Sequence, residues 1–107
     1  MEGKKIYLQP FGTALQVIND MAELQKGKLI FSDSPNGIIH FAITMYGNKW
    51  ELKFEVTDIG KNRCNVKIEI EEETKNSESL IERQFALLDS MLIIDAKMEL
   101  SIKKGEY

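Results

Sequence analysis

Four side chains in this sequence could do chemistry, and their spacing limits what that chemistry can be. His40 is the one histidine and Cys64 the one cysteine. A catalytic thiol needs a base within reach and a partly exposed position. In Ile39-His40-Phe41 the histidine stands out of phase with its apolar neighbours, whereas in Cys64-Asn65-Val66 the cysteine is in phase with them. The two side chains are therefore expected on opposite faces of one sheet, which leaves the thiol without a base and any serine without a triad partner. Cys64, close to Asp58, reads as a buried structural cysteine. His40 is expected opposite Glu55, where a carboxylate neighbour would suit a general base or a pH sensor. The plainer reading, and the favoured one, is a surface histidine in a cross-strand pair. Gln84 and Asp95 fall on the apolar stripe of a helix and could orient a ligand. The plainer reading has Gln84 reaching the edge of the stripe and Asp95 wet at the helix end. A metal centre needs several ligands together, and no Cys or His cluster offers them. Gly37, Gly47 and Gly60 sit at turns, not in a phosphate-binding loop. No catalytic residue, metal or cofactor is expected.

The elements that position these residues are legible from hydropathy. Between Lys28 and Glu72 the chain alternates strand by strand: Trp50, Leu52, Phe54 and Val56 interleave with Glu51, Lys53, Glu55 and Thr57, and Cys64, Val66, Ile68 and Ile70 with Asn65, Lys67, Glu69 and Glu71. Such alternation means strands with one buried and one wet face. A two-residue turn at Gly47-Asn48, glycine first, suits type II′. It would pair Tyr46 with Lys49, Met45 with Trp50, Ile43 with Leu52, Phe41 with Phe54 and Ile39 with Val56. The turn Gly60-Lys61-Asn62 pairs Phe54 with Ile68 and Leu52 with Ile70, and sets Lys53 opposite Glu69 and Glu55 opposite Lys67, charge pairs that support the ladder. The looser turn from Asp33 to Gly37 pairs Phe31 with Ile39 and Leu29 with Phe41.

Before this meander, Lys4 to Gln9 reads as a strand with Ile6 and Leu8 on one side and Lys5, Tyr7 and Gln9 on the other. Thr13 and Gln16 have the spacing of a capping box, which starts a helix at Ala14. Its apolar half holds Ala14, Leu15, Val17, Ile18, Met21, Ala22 and Leu24, and Gly27 is placed to take the left-handed cap. After the meander, Ser79 and Glu82 have capping-box spacing. Leu80, Ile81, Gln84, Phe85, Leu88, Met91, Leu92 and Asp95 then form a helical stripe. The helix is expected to Ile94 and, with Met98 and Ile102 continuing the stripe, on to Lys104; a short strand at Met98, Leu100 and Ile102 is the alternative.

The chain has 107 residues, 43% of them hydrophobic and 29% charged, as in an ordinary globular domain. No linker, repeat or second core divides it, so residues 1–107 read as one domain. No wholly apolar run in the C-terminal helix is longer than that of Met91-Leu92-Ile93-Ile94, far short of a membrane span. With no leader and a single cysteine, the expected setting is reducing and cytoplasmic, away from membranes. A net charge of −3 and the glutamates from Glu69 to Glu73 argue against nucleic acid as a partner.

The order strand, helix, four-stranded meander, long C-terminal helix resembles the TATA-box-binding-protein-like and helix-grip topologies. In detail it is most similar to small bacterial members of the helix-grip superfamily, the START-like and pollen-allergen-like proteins. The residues that carry the resemblance are the helix Ala14 to Lys26, the strand Leu29-Ile30-Phe31, the turn Asp33 to Gly37, Ile39-His40-Phe41, and Ser79 to Leu88. It implies an α+β fold, β-α-β-β-β-β-α, with a five-stranded antiparallel sheet in the order 1-5-4-3-2 against a long C-terminal helix. Strand two, about Lys28 to Ser32, is then a free edge, with its short length and Lys28 as ordinary ways of blunting it. Full-size relatives hold apolar ligands between sheet and helix. The matching groove here would be lined by Phe31, Phe41, Trp50, Phe54, Phe85 and Met91, with Met45 beside them, although a filled core is the favoured reading.

One outer-face feature stands apart. Ile30, Ile38, His40, Ala42 and Tyr46 put an apolar stretch on strands two and three, next to the charged ladder of strands four and five. Such patches often mark partner surfaces, and the alternative cover for part of this stretch is the chain's own C-terminal tail. The expected function is a non-enzymatic binding or protein-interaction module, with a homodimer or other protein partner at that edge. The alternative is a carrier of a small apolar ligand or lipid in the sheet–helix groove. Nucleic-acid binding through the sheet face is disfavoured by Glu51, Glu55, Glu69 and Glu71.

Overall fold

A computed structural model describes residues 1–105, with side chains described through Ile93. Five strands, β1 (Glu2–Tyr7), β2 (Lys28–Asp33), β3 (Ile38–Met45), β4 (Asn48–Gly60) and β5 (Arg63–Glu69), and two helices, α1 (Phe11–Leu24) and α2 (Lys75–Gly105), follow one another as β1-α1-β2-β3-β4-β5-α2. The strands form one antiparallel sheet in the order β1-β5-β4-β3-β2, the expected α+β topology. The helices share the inner face: α1 lies over β3, β4 and β5, and α2 over β1 and beside α1. The C-terminal segment to Gly105 is helix, not strand.

The core forms where the alternating residues meet the helices. Phe41, Phe54, Ile39, Leu52, Ile68 and Ile18 are wholly buried, and the rings of Phe41 and Phe54 stack at 5.4 Å. Between β4 and β5 the expected register holds, with Phe54 opposite Ile68, Lys53 opposite Glu69 and Glu55 opposite Lys67.

The β3–β4 register differs from expectation. Ile43 faces Trp50, Phe41 faces Leu52, Ile39 faces Phe54, and Met45 faces Asn48. The turn residues are Tyr46 and Gly47, both at positive φ (55° and 75°), the type I′ geometry whose twist matches a hairpin. A bulky residue at positive φ is uncommon, so Tyr46 was a poor candidate by sequence. The Trp50 indole donates to the Met45 carbonyl at 2.8 Å and bridges the strands beside the turn. Because the shift is two residues, every side chain keeps its face.

In β1 the side that carries Lys5 and Tyr7, not the more apolar side, faces inward. Tyr7 is buried, while Ile6 and Leu8 are 61% and 77% exposed. Gly3, Lys5 and Tyr7 pair with Ile68, Val66 and Cys64, so they share the inner face with the core of β5. Gly3 lets α2 approach: a Cβ there would lie 2.9 Å from Ile81 Cγ2 and 3.0 Å from Phe85 Cε2.

Both helices start earlier than their expected capping boxes. α1 begins at Phe11 behind Pro10, with no side-chain cap. Lys26, not Gly27, takes the left-handed position at its end (φ 55°), and the Gly27 N–H returns to the Ala22 carbonyl at 2.7 Å. For α2 the box is Thr74 with Ser77: the Thr74 N–H donates to Ser77 Oγ at 2.7 Å and the Ser77 N–H to Thr74 Oγ1 at 3.2 Å. Reciprocal bonds of this kind satisfy two otherwise orphaned donors.

Gly37, which closes the β2–β3 connection, requires its residue type. Its φ is 71°, a Cβ would run into the Val56 carbonyl and the Phe11 ring, and its own carbonyl accepts the Val56 N–H at 2.8 Å.

Candidate functional site

β2 is a terminal strand, paired only with β3 within the sheet. Leu29, Ile30 and Phe31, three large apolar residues in succession, are 56%, 46% and 51% exposed. The reason is partly a bulge. Leu29 pairs with Phe41 but Phe31 pairs with His40, so Ile30 is an extra residue, and it and Phe31 together stand against His40. Residues paired across a sheet share a face. Leu29 and Ser32 therefore face the helices, while Lys28, Phe31 and Asp33 face outward with Ala42, His40 and Ile38. Neither helix packs extensively on β2.

The bulge relocates one expected groove residue. Phe31, expected on the inner face opposite Ile39, lies on the outer face beside His40. It joins Ile30, Ile38, His40 and Ala42, and the aromatic ring enlarges the apolar patch expected from sequence. Ala42 is buried within it, Ile38 and His40 are half-buried, and Tyr46 is exposed at the β3–β4 turn. His40 faces Lys53, not Glu55, which pairs with Ile38; the two-residue register shift moves the carboxylate away. His40 thereby lacks the carboxylate partner that a general-base or pH-sensing role needs.

The other groove residues lie where the helices meet the sheet. Phe41, Phe54 and Trp50 are buried core, and Phe85 and Met91 are half-buried against it, as is Met45. Gln84 is buried rather than at the edge of the stripe. Its amide pairs reciprocally with Gln25, donating to Gln25 Oε1 at 2.7 Å and accepting from Gln25 Nε2 at 2.9 Å. The mutual pair satisfies both amides across the α1–α2 interface, so Gln84 has a structural partner in place of a ligand. The Asp95 side chain lies outside the described residues. Two open depressions of about 170 and 230 Å³ lie at the β4 end of the sheet, lined by Lys49, Glu51, Glu71 and Glu72 and by Asn48, Lys49, Trp50 and Glu72. Both are smaller than a usual small-molecule site of roughly 300 Å³ or more, and their charged walls do not suit an apolar ligand.

A second polar cluster went unnoticed in the sequence because its members are far apart in the chain. The Asp89 carboxylate on α2 accepts the Tyr7 hydroxyl at 2.6 Å through Oδ1 and the Lys5 ammonium at 2.6 Å through Oδ2. Lys5 Nζ also lies 5.5 Å from the centre of the Tyr7 ring. Burial pushes the Tyr7 hydroxyl up, with the Asp89 hydrogen bond and charge adding to it. At Asp89 burial works upward, but the hydrogen bonds from Lys5 and Tyr7 and the Lys5 charge together hold its carboxyl below the usual range. Cys64 is raised by burial and then by the Asp58 charge. A buried thiol held in its neutral form is a poor nucleophile. The cluster ties β1 to α2; the signal that could have revealed it is Lys5 and Tyr7 alternating with exposed Ile6.

Among the described residues no cluster of three or more His, Cys, Asp or Glu could hold a metal ion, and no helix is long and apolar enough to cross a membrane. No family model matches the chain. No characterised protein matches it by sequence either. Among solved structures it is similar to TTHA0849 from Thermus thermophilus at 8% identity and a TM-score of 0.34, over 87% of this chain and 88% of that one, a likeness too slight to carry an argument.

Proposed function

We propose that this chain is a non-enzymatic protein-interaction module that docks a partner along the β2 edge and the adjoining outer face. One observation carries the reading: a terminal strand presents Leu29, Ile30 and Phe31 in succession, each about half exposed, with unpaired backbone alongside. Edge strands are normally blunted by charge, brevity or cover, because a free row of N–H and C=O groups templates strand addition. A protein partner adding a strand would satisfy that backbone and cover the apolar side chains together. The separation of His40 and Cys64 onto opposite faces and the neutral thiol support the absence of catalysis. The carrier reading gains nothing from the two depressions beside Trp50, and the helix-grip resemblance in this proposal extends to element order alone.

Native mass spectrometry of freshly purified protein tests the reading, because it reports protein partners and retained small molecules together. The expected result is a protein–protein complex that disappears in Ile30→Asp while circular dichroism of the variant is unchanged. A retained apolar small molecule on a monomer, unaffected by Ile30→Asp, would establish the carrier instead.

A further inference from the structure

Resting on that reading, we infer that the partner of β2 is a second copy of the same chain, joined by antiparallel β2–β2 pairing about a two-fold axis between Ile30 and Phe31. An isologous strand pair requires each residue and its partner to point to the same face, because the axis runs perpendicular to the sheet. A regularly alternating strand meets this condition only about a residue, never about the midpoint between two. The bulge in β2 changes the rule. Its residues run outward at Lys28, inward at Leu29, outward at Phe31, inward at Ser32 and outward at Asp33, with Ile30 beside Phe31 over His40. That order reads the same in both directions about the Ile30–Phe31 midpoint. A bulge ordinarily blunts an edge; here it makes the edge self-complementary.

The charges obey the same symmetry. In this register Lys28 of each copy faces Asp33 of the other, Leu29 faces Ser32, and Ile30 faces Phe31. Lys28 and Asp33 are the only charged residues of β2 and stand at its two ends. Among the described residues neither has an ion-pair partner, so both are open to a pairing with a second copy. Two Lys28–Asp33 pairs would flank a central outer-face cluster of both copies' Ile30 and Phe31, continued by Ile38. The result is one ten-stranded sheet with all helices on one side. A heterologous partner would place no demand on the symmetry of β2 itself.

Sedimentation of the full chain over a concentration series tests the assignment. Wild-type protein should show a reversible monomer–dimer equilibrium. Lys28→Asp sets Asp against Asp twice per dimer and should weaken association by about tenfold or more. Lys28→Asp combined with Asp33→Lys restores both pairs only if the partner carries the same two substitutions, and should recover wild-type association. Asp33 also accepts the Asn36 amide at 2.7 Å, so the swap could disturb the turn. A second variant avoids this. Leu29→Cys with Ser32→Cys should oxidise to a covalent dimer, since paired residues bring their Cα atoms within about 5.5 Å. The two cysteines of one strand lie roughly 10 Å apart and cannot bridge, and Cys64 is buried. A dimer that forms without this cross-link overturns the register. Wild-type protein that stays monomeric at its highest soluble concentration overturns the second copy. In that case an Ile30-dependent complex with a different protein in native mass spectra would leave the interaction reading standing, and its absence would end both.

Discussion

The two edges of this sheet occupy equivalent positions and are treated in opposite ways. At β1 the strand carries Glu2, Lys4 and Lys5, with Lys4 near Glu2 and Lys5 paired to Asp89. Helix α2 packs on its inner side through the space that Gly3 leaves open. At β2 the centre of the strand is Leu-Ile-Phe, and neither helix packs extensively on it. Charge and cover are the ordinary protections of a free edge, and β1 has both. The contrast teaches that position alone does not make an edge adhesive; the side chains and the layer above it decide.

Both edges hang on the same interior, so the largest expected effect lies there. Phe54→Ala, which removes a wholly buried ring stacked on Phe41, should cost about 3–5 kcal/mol in urea unfolding. Hydrogen exchange should then show β1 and β2 losing protection together; independent loss would mean that the edges do not share one core. Next comes the covered edge. Gly3→Ala forces a Cβ against Ile81 and Phe85 and should cost about 1–3 kcal/mol, at any protein concentration. Ile30→Asp should instead abolish the concentration dependence of the melting temperature and leave the dilute limit nearly unchanged, because only association is lost. Equal behaviour of the two variants would erase the distinction between the edges.

Acid offers a further test of the β1 side. The Asp89 carboxyl is held below its ordinary value in the fold, so its contribution is fully present above the unfolded aspartate range, near pH 4, and is lost as pH falls through the depressed value. Wild-type stability should therefore decline on acidification more steeply than that of Asp89→Asn, followed by denaturant midpoints. At neutral pH Asp89→Ala should cost about 1–2 kcal/mol, since the part-buried Tyr7 hydroxyl loses its acceptor. The smallest effect is expected at Ile6, a lone exposed residue of β1: Ile6→Ser should change stability by no more than about 0.5 kcal/mol. A loss as large as that at Gly3 would reveal a cover on the outer face of β1.

Much of the fold was legible in the alternation. The inward set Phe41, Ile43, Trp50, Leu52, Phe54, Val66 and Ile68 and the two helical stripes were all readable before any coordinates. The site was less so. The alternation puts Ile30, Ile38, His40 and Ala42 on the outer face, but it puts Phe31, which is half exposed beside them, in the interior. A bulge breaks the alternation at one residue, and Lys28 to Asp33 contains no glycine or proline to announce it. Gln84 is not legible for a different reason: its partner Gln25 caps the C-terminus of the other helix, and no local pattern pairs two amides 59 residues apart.

By itself the sequence determined which residues face inward in β3, β4 and β5, where the helices lie, and that the chain forms an α+β sheet-and-helix layer. These follow from parity and helical period, properties of consecutive residues that the solvent reads directly. Tertiary structure alone decided the rest. Parity is unchanged by a two-residue slip, so the β3–β4 register waited on the positive φ of Tyr46 and the Trp50–Met45 hydrogen bond. The facing of β1 waited on α2, because hydropathy alone favours burying Ile6, and only the helix carrying Asp89, which accepts the Tyr7 hydroxyl, makes the tyrosine the one that is buried. The exposure of β2 waited on where the helices end, because apolar residues are buried only if another layer reaches them, and the two helices leave that edge of the sheet largely uncovered.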